Sequence, residues 1–156
     1  MEKIKVLFIC HGNICRSTMA EFVFKYMVCR AKLENEFYIE SAATSREEIG
    51  NDIHNGTKRK LDEAGIPYAK RKARQMTKED YARFDYIIGM DAANIRNIFK
   101  ITDGDSDNKV SKLLDWTDRR GDIADPWYTG NFDVTYDDIW EGCCAFFSHL
   151  KKEGKI

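Results

Sequence analysis

The apolar run Ile4–Ile9 passes straight into Cys10-His11-Gly12-Asn13-Ile14-Cys15-Arg16-Ser17, and from Thr18 onward Met19, Phe22, Val23, Tyr26 and Met27 recur at spacings of three and four. This succession limits the fold more than any other stretch of the chain. A short run of β-branched and aromatic residues predicts a strand buried on both faces. The spacing that follows predicts a helix with one apolar stripe. Only a small polar turn lies between them, so a strand feeds a helix directly, as in parallel α/β sheets.

The same alternation continues along the chain. Phe37–Ser41 predicts a second strand, and Asn51–Ala64 an amphipathic helix ended by Gly65 with Pro67 beyond it. Thr77-Lys78-Glu79-Asp80 has the form of a capping box and opens a helix toward Phe84. Tyr86–Met90 predicts a third strand, Asp91–Phe99 a helix, and Lys109–Leu114 a fourth strand. Asp115–Tyr136 is a long loop rich in Asp, Gly and aromatics, of the kind that usually carries function. A final helix over Asp133–Lys152 has Ile139, Trp140, Cys143, Phe146, Phe147 and Leu150 on its apolar face. The expected architecture is a single flavodoxin-like α/β domain over residues 1–156. Its central four-stranded parallel sheet has helices on both faces.

Composition narrows the function classes. The chain has 156 residues, enough for one domain with its own core. Lys and Arg number 25 against 26 Asp and Glu, a formal charge of −1, which argues against nucleic acid as a partner. No stretch approaches the length of a membrane span, so no membrane partner is expected. Five cysteines, an odd number without a secretory leader, point to free thiols in a reducing cytoplasm.

The Cys10–Ser17 loop carries the chemistry. Ligands of open α/β sheets bind at the carboxyl ends of strands. A helix N-terminus attracts phosphate through its unpaired N–H groups and dipole. Gly12 is expected to let the backbone curl so that successive N–H groups face inward. Arg16 can fork two N–H bonds onto two phosphate oxygens. A cysteine at the base of such a positive cup favours its thiolate, the form that attacks phosphorus. A bare Cys-x5-Arg pair also fits a small apolar residue at a strand end. The strand before, the Gly within and the helix behind favour the reactive reading.

A second group is needed to protonate the departing oxygen and later to activate water. Asp125 is the candidate, because Pro126 holds it in an extended conformation. Asp115, Asp118 and Asp122 crowd the same loop, and composition does not choose among them. Trp127 and Tyr128 follow and form a wall suited to a phenyl ring.

The residues Val6–Ser17 with Met19-Ala20-Glu21, Lys72-Ala73-Arg74-Gln75 with Thr77–Asp80, Phe84-Asp85-Tyr86-Ile87, Met90-Asp91 and Asp125-Pro126-Trp127-Tyr128 are together similar to the low-molecular-weight protein tyrosine phosphatases. The resemblance spans nearly the whole chain in the family's order. It implies hydrolysis of phosphotyrosine in proteins or peptides through a phosphocysteine intermediate, without cofactor or metal. Phosphate, sulfate or vanadate would be active-site ligands.

By that resemblance Cys10 is the nucleophile, Arg16 the phosphate clamp and Asp125 the general acid and base. His11, Gly12, Asn13, Ile14 and Cys15 form the rest of the phosphate-binding loop. Ser17 donates to the Cys10 thiolate. Asn13 holds the loop, with Ser41 as a supporting hydrogen-bonding partner. A reversible Cys10–Cys15 disulfide is also implied.

Three departures stand out. Arg71 occupies a position where some members carry a loop-supporting His. His11 replaces an apolar or Thr residue. The Thr44–Glu48 loop lacks an aromatic, so Glu47 supplies a charged wall opposite Trp127 and Tyr128.

Other readings fare less well. An arsenate reductase of this fold needs further mid-chain cysteines, and none lies between Cys29 and Cys143. A protein-arginine phosphatase is expected to carry Thr where Ile14 stands. A phosphocarrier does not need Arg16 and Asp125 together. The Asp103–Asn108 turn lacks the Gly and Glu of a calcium loop. His54 and His149, isolated on helical patterns, are expected at the surface.

Overall fold

The computed structural model describes residues 2–156. Strand β1 is Ile4–Cys10, helix α1 Arg16–Arg30, β2 Phe37–Ala43, α2 Asn55–Ala64, α3 Lys78–Arg83, β3 Tyr86–Gly89, α4 Ala92–Thr102, β4 Val110–Lys112, α5 Pro126–Thr129 and α6 Phe132–Lys152. Short 3-10 turns cover Glu34–Glu36 and Leu113–Trp116. The sheet has four strands in the order β2-β1-β3-β4, all parallel.

That order sets the place of the site. The chain leaves β1 to form β2 on one side, then crosses to form β3 on the other. The connections after β1 and β3 therefore diverge and open a crevice at the carboxyl end of β1. Cys10, the last residue of β1, lies there, opposite Ala43 of β2.

Alternation along β1 divides the core in two. Val6, Phe8 and Cys10 face α1 and α6, in a cluster with Met19, Val23, Phe24, Ile139 and Phe146. Leu7 and Ile9 face the other side, with Phe84, Ile87 and Ile98. A strand buried on both faces has no polar side to show, and this is why Val6–Ile9 reads as a continuous apolar run. Phe24 of α1 joins the first cluster together. Its ring meets Phe8 at 5.9 Å, Phe37 at 5.5 Å and Phe146 at 5.3 Å, mostly edge to face. α6 comes close to the Leu113–Trp116 turn because residue 142 is Gly, where a Cβ would lie 2.5 Å from Leu113 Cγ.

Several boundaries differ from expectation for local reasons. α1 begins at Arg16, inside the stretch read as a turn. α2 begins at Asn55 and not at 51, because His54 caps it through its side chain. Asn51 instead pairs with the segment after α2, its carbonyl accepting from Ala73 N–H at 2.7 Å. β4 stops at Lys112 because Leu113–Trp116 winds into a 3-10 turn. The long loop hides α5, four residues capped by Asp125 and started by Pro126.

Phe24→Ala should lower the free energy of unfolding by about 3–5 kcal/mol, since it opens a cavity where β1, β2 and α6 meet. Urea unfolding of the variant beside the parent checks this.

Candidate active site

The loop after β1 turns its carbonyls outward. The Cys10 carbonyl accepts from Thr44 N–H at 3.0 Å, that of His11 from Ser45 N–H at 3.1 Å, and that of Ile14 from His54 N–H at 2.9 Å. With these carbonyls engaged by neighbouring segments, the loop's N–H groups are left for its inner side. The Asn13 N–H donates to Cys10 Sγ at 3.3 Å. Ser17 Oγ lies 3.1 Å from the same sulfur. Asn13 Nδ2 donates to Ser17 Oγ at 2.8 Å, so the serine proton is free to turn toward the sulfur.

The residue that curls the loop is Asn13, not Gly12. Asn13 has φ 61, in the left-handed region that Asn tolerates better than most side chains. Gly12 is not among the residues of positive φ. Its small size serves a different end, since a Cβ there would lie 3.2 Å from Glu48 Cγ. Asn13 is fully buried. Its Oδ1 accepts from Arg71 Nη2 and, at 3.3 Å, from Arg74 N–H.

Arg71 thus reaches the loop directly. Ser41 does not, although it was expected to support it: its hydroxyl donates to Glu21 Oε1 at 2.5 Å. Burial pushes the Arg71 guanidinium below its ordinary pKa, opposed by the fields of Glu21, Asp52 and Cys10. Asp52 holds the Arg71 segment in place. Its Oδ1 accepts from Arg71 N–H at 3.2 Å and Ile53 N–H at 2.7 Å, and its Oδ2 from Lys58 Nζ at 2.9 Å.

Arg16, the first residue of α1, is buried. Nη1 donates to Asp91 Oδ2 at 2.7 Å and to the Ile123 carbonyl at 2.9 Å, and Nη2 to Asp125 Oδ2 at 3.5 Å. Nε is buried without a partner. Burial works against the charge, but Cys10, Asp91 and Asp125 outweigh it and raise the pKa. Asp125 turns its other oxygen, Oδ1, to Trp127 N–H at 3.1 Å, which caps α5.

Asp125 borders a cavity of about 240 Å³ that is also lined by Cys10 and the loop residues His11, Gly12, Ile14 and Cys15. Trp127 and Tyr128 form one wall, and Glu47 and Glu48 the other. Both expected walls therefore meet at the cavity. The His11 ring contacts Glu47, so His11 contributes more than its main chain. Cys15 is buried, and desolvation together with the fields of Cys10 and Asp125 pushes its pKa up to about 12.

Sequence reasoning missed the Arg16–Asp91 pair, which needs contact across 75 positions. The only signal was Met90-Asp91 at the end of a strand next to β1. It also left Arg71 as a departure from pattern, where the structure gives it the contact to Asn13.

A cysteine met by two donors at the end of β1, a buried arginine at the start of α1 and a carboxylate at the start of α5 are thus brought together. The family model described as low molecular weight phosphotyrosine protein phosphatase matches residues 5–156. The chain belongs to this family.

It is 37% identical over 155 residues to the low molecular weight protein-tyrosine-phosphatase YfkJ of Bacillus subtilis, covering 98% of this chain and 99% of that one. It is 41% identical over 151 residues to the low molecular weight phosphotyrosine protein phosphatase of Gallus gallus, covering 93% and 94%. The crystal structure of the Bacillus protein superposes with a TM-score of 0.94 over 98% of each chain. That of a Drosophila arginine phosphatase superposes with 0.86 at 28% identity, over 95% of this chain and 98% of that one.

Asp52 links the site to pH. The Lys58 hydrogen bond, with those from Ile53 and Arg71 N–H, pulls its carboxyl from 3.8 to about 2. A folded-state pKa below the unfolded one contributes stability that is full above about pH 4 and lost as pH falls toward about 2. Asp52→Asn should therefore be less stable than the parent at neutral pH and lose less over that acid window. Urea unfolding at neutral pH and within the window tests the sign.

Proposed function

We propose that the protein hydrolyses phosphotyrosine in proteins or peptides, with Cys10 as nucleophile, Arg16 as phosphate clamp and Asp125 as general acid and base. The observation that carries this reading is that Cys10 and Asp125 line one cavity while the buried Arg16 donates to Asp125.

In the first step the Cys10 thiolate attacks phosphorus from the loop side. The S–P bond forms as the P–O bond to the tyrosine breaks, and Asp125 gives its proton to the departing oxygen. In the second step Asp125 takes a proton from water, whose oxygen attacks phosphorus. The S–P bond then breaks and the thiolate returns. Asn13 N–H and the Ser17 hydroxyl stabilise the sulfur as it leaves. The unpaired Nε of Arg16 is a donor available to a phosphoryl oxygen, and the guanidinium stabilises the charge that develops there.

The aromatic wall of Trp127 and Tyr128 favours a phenyl ring, and Ile14 favours phosphotyrosine over phosphoarginine. Phosphate, sulfate and vanadate compete for the same loop. Cys15 captures an oxidised Cys10: its thiol condenses with the sulfenic acid to a disulfide and releases water. A raised pKa keeps Cys15 protonated and so out of the first reaction. The odd count of five cysteines supports a reducing, cytoplasmic location.

Steady-state turnover of phosphotyrosine, phosphoserine and phosphoarginine peptides, without added metal, is the direct test. Phosphotyrosine should be preferred, with Cys10→Ser inactive and Asp125→Asn slower by about 10²–10⁴ while still binding phosphate. A preference for phosphoarginine would overturn the substrate assignment. Undiminished turnover by Cys10→Ser would overturn the mechanism.

A further inference from the structure

His54 lies half-buried outside the cavity, not at the surface as its sequence position suggests, and it touches the segments that build the cavity. Its main-chain N–H donates to the Ile14 carbonyl on the outer side of the Cys10 loop. Its Nδ1 accepts from Gly56 N–H at 2.9 Å and caps α2. Two aromatic rings contact its own. Phe132 lies nearly parallel to it, at 17° and 5.4 Å between centroids. Trp127 meets it at 75° and 5.6 Å.

Both contacts lead back to the site. Trp127 N–H donates to Asp125 Oδ1, so its ring and the carboxylate are two ends of one short turn. Phe132 packs against Ile14, Cys15 and Ala73. It can approach the start of α2 because Gly56 has no side chain, and a Cβ there would lie 2.3 Å from Phe132 Cζ.

We propose that His54 is a positioning residue for the acid: its imidazole holds Trp127, and through α5 holds Asp125, over the Cys10 loop. This rests on the role given to Asp125 above. Each bond of His54 constrains a different segment. The main chain fixes it to the loop, the Nδ1 cap fixes it to α2, and the two ring contacts pass that rigidity to α5 and α6. Imidazole supplies both a flat aromatic face and an acceptor for a helix N–H. Asn supplies only the acceptor, and Phe only the ring. Proton transfer falls off steeply with misplacement, so modest ring contacts have a large effect on rate.

Two variants separate the duties. His54→Asn keeps the cap and removes the ring, and His54→Phe does the reverse. The readouts are kcat/KM for p-nitrophenyl phosphate, whose oxygen departs readily unprotonated, kcat/KM for phenyl phosphate, whose oxygen needs the proton, and inhibition by inorganic phosphate. His54→Asn should lose about 10-fold on phenyl phosphate and less than about 3-fold on p-nitrophenyl phosphate, with phosphate inhibition unchanged. His54→Phe should keep the parental ratio of the two substrates while melting at a lower temperature.

A second readout does not depend on turnover. The protein has three tryptophans. With 5-fluorotryptophan incorporated, the fluorine resonance that Trp127→Phe removes should shift in His54→Asn and stay near its place in His54→Phe. An unchanged substrate ratio in His54→Asn overturns the proposal. So does an equal loss on both substrates with weakened phosphate inhibition, or a Trp127 resonance indifferent to the ring. Absence of turnover in the parent protein would overturn the phosphatase reading instead, and the fluorine spectra would then decide the His54 contact alone.

Discussion

The left-handed turn at Asn13 is the constraint on which the carboxyl end of β1 depends. A side chain in that region is disfavoured by about 1–2 kcal/mol, somewhat less for Asn. The turn persists because the same residue makes four hydrogen bonds: its N–H to Cys10, its amide to Ser17, and its carbonyl oxygen from Arg71 and Arg74. At a net worth of about 0.5–1.5 kcal/mol each, these bonds outweigh the strain. They also do something Gly could not do at this position. They tie the loop to the Arg71–Arg74 segment and orient the serine that faces the sulfur. A change at Arg71 therefore acts on Cys10 through Asn13, although the two side chains share no hydrogen bond.

Charge in the site is local and opposes the balance of the whole chain. The formal charge is −1, yet Arg16, Arg71 and the start of α1 converge on one loop. Burying a guanidinium is costly unless its donors are met. Asp91 and the Ile123 carbonyl meet those of Nη1, which leaves Nε as the donor without a partner. Asp91 caps α4 just after β3 and Ile123 comes from the long loop, so the arginine can be buried only when β1, β3 and that loop have all assembled. The site is in this sense a product of the strand order, not of the loop alone.

The parts legible in the sequence were those governed by short-range chemistry. Val6–Ile9 reads as a doubly buried strand because every position in it faces a core. Cys10, Arg16 and Asp125 stand out in the sequence because a strand end, a helix start and a Pro each restrict the backbone locally, and the structure brings Arg16 to Asp125 and Asp125 to the cavity that Cys10 lines. What was not legible depends on distant partners. Ser41 looks like a loop ligand until Glu21 is found beside it. Gly12 looks like the curl of the loop until Asn13 is seen to adopt the positive φ. His54 looks like a surface residue because nothing nearby in sequence announces Trp127 or Phe132. Position 51 looks like a helix start because its pairing partner, Ala73, lies beyond the helix.

Cys10 and Cys15 show how differently one loop can surround two residues of the same type. Both are buried, five residues apart on one loop. Cys10 closes a strand and receives the Asn13 N–H, with the Ser17 hydroxyl beside it. Cys15 sits at the start of α1 with no side-chain cap, where desolvation and the fields of Cys10 and Asp125 all oppose its anion. A helix N-terminus by itself favours a thiolate. At Cys15 that tendency is overcome, first by burial and then by the fields of Cys10 and Asp125. The positive end of the helix is thereby left to the cavity and to whatever anion enters it, with no charge on Cys15 to neutralise it.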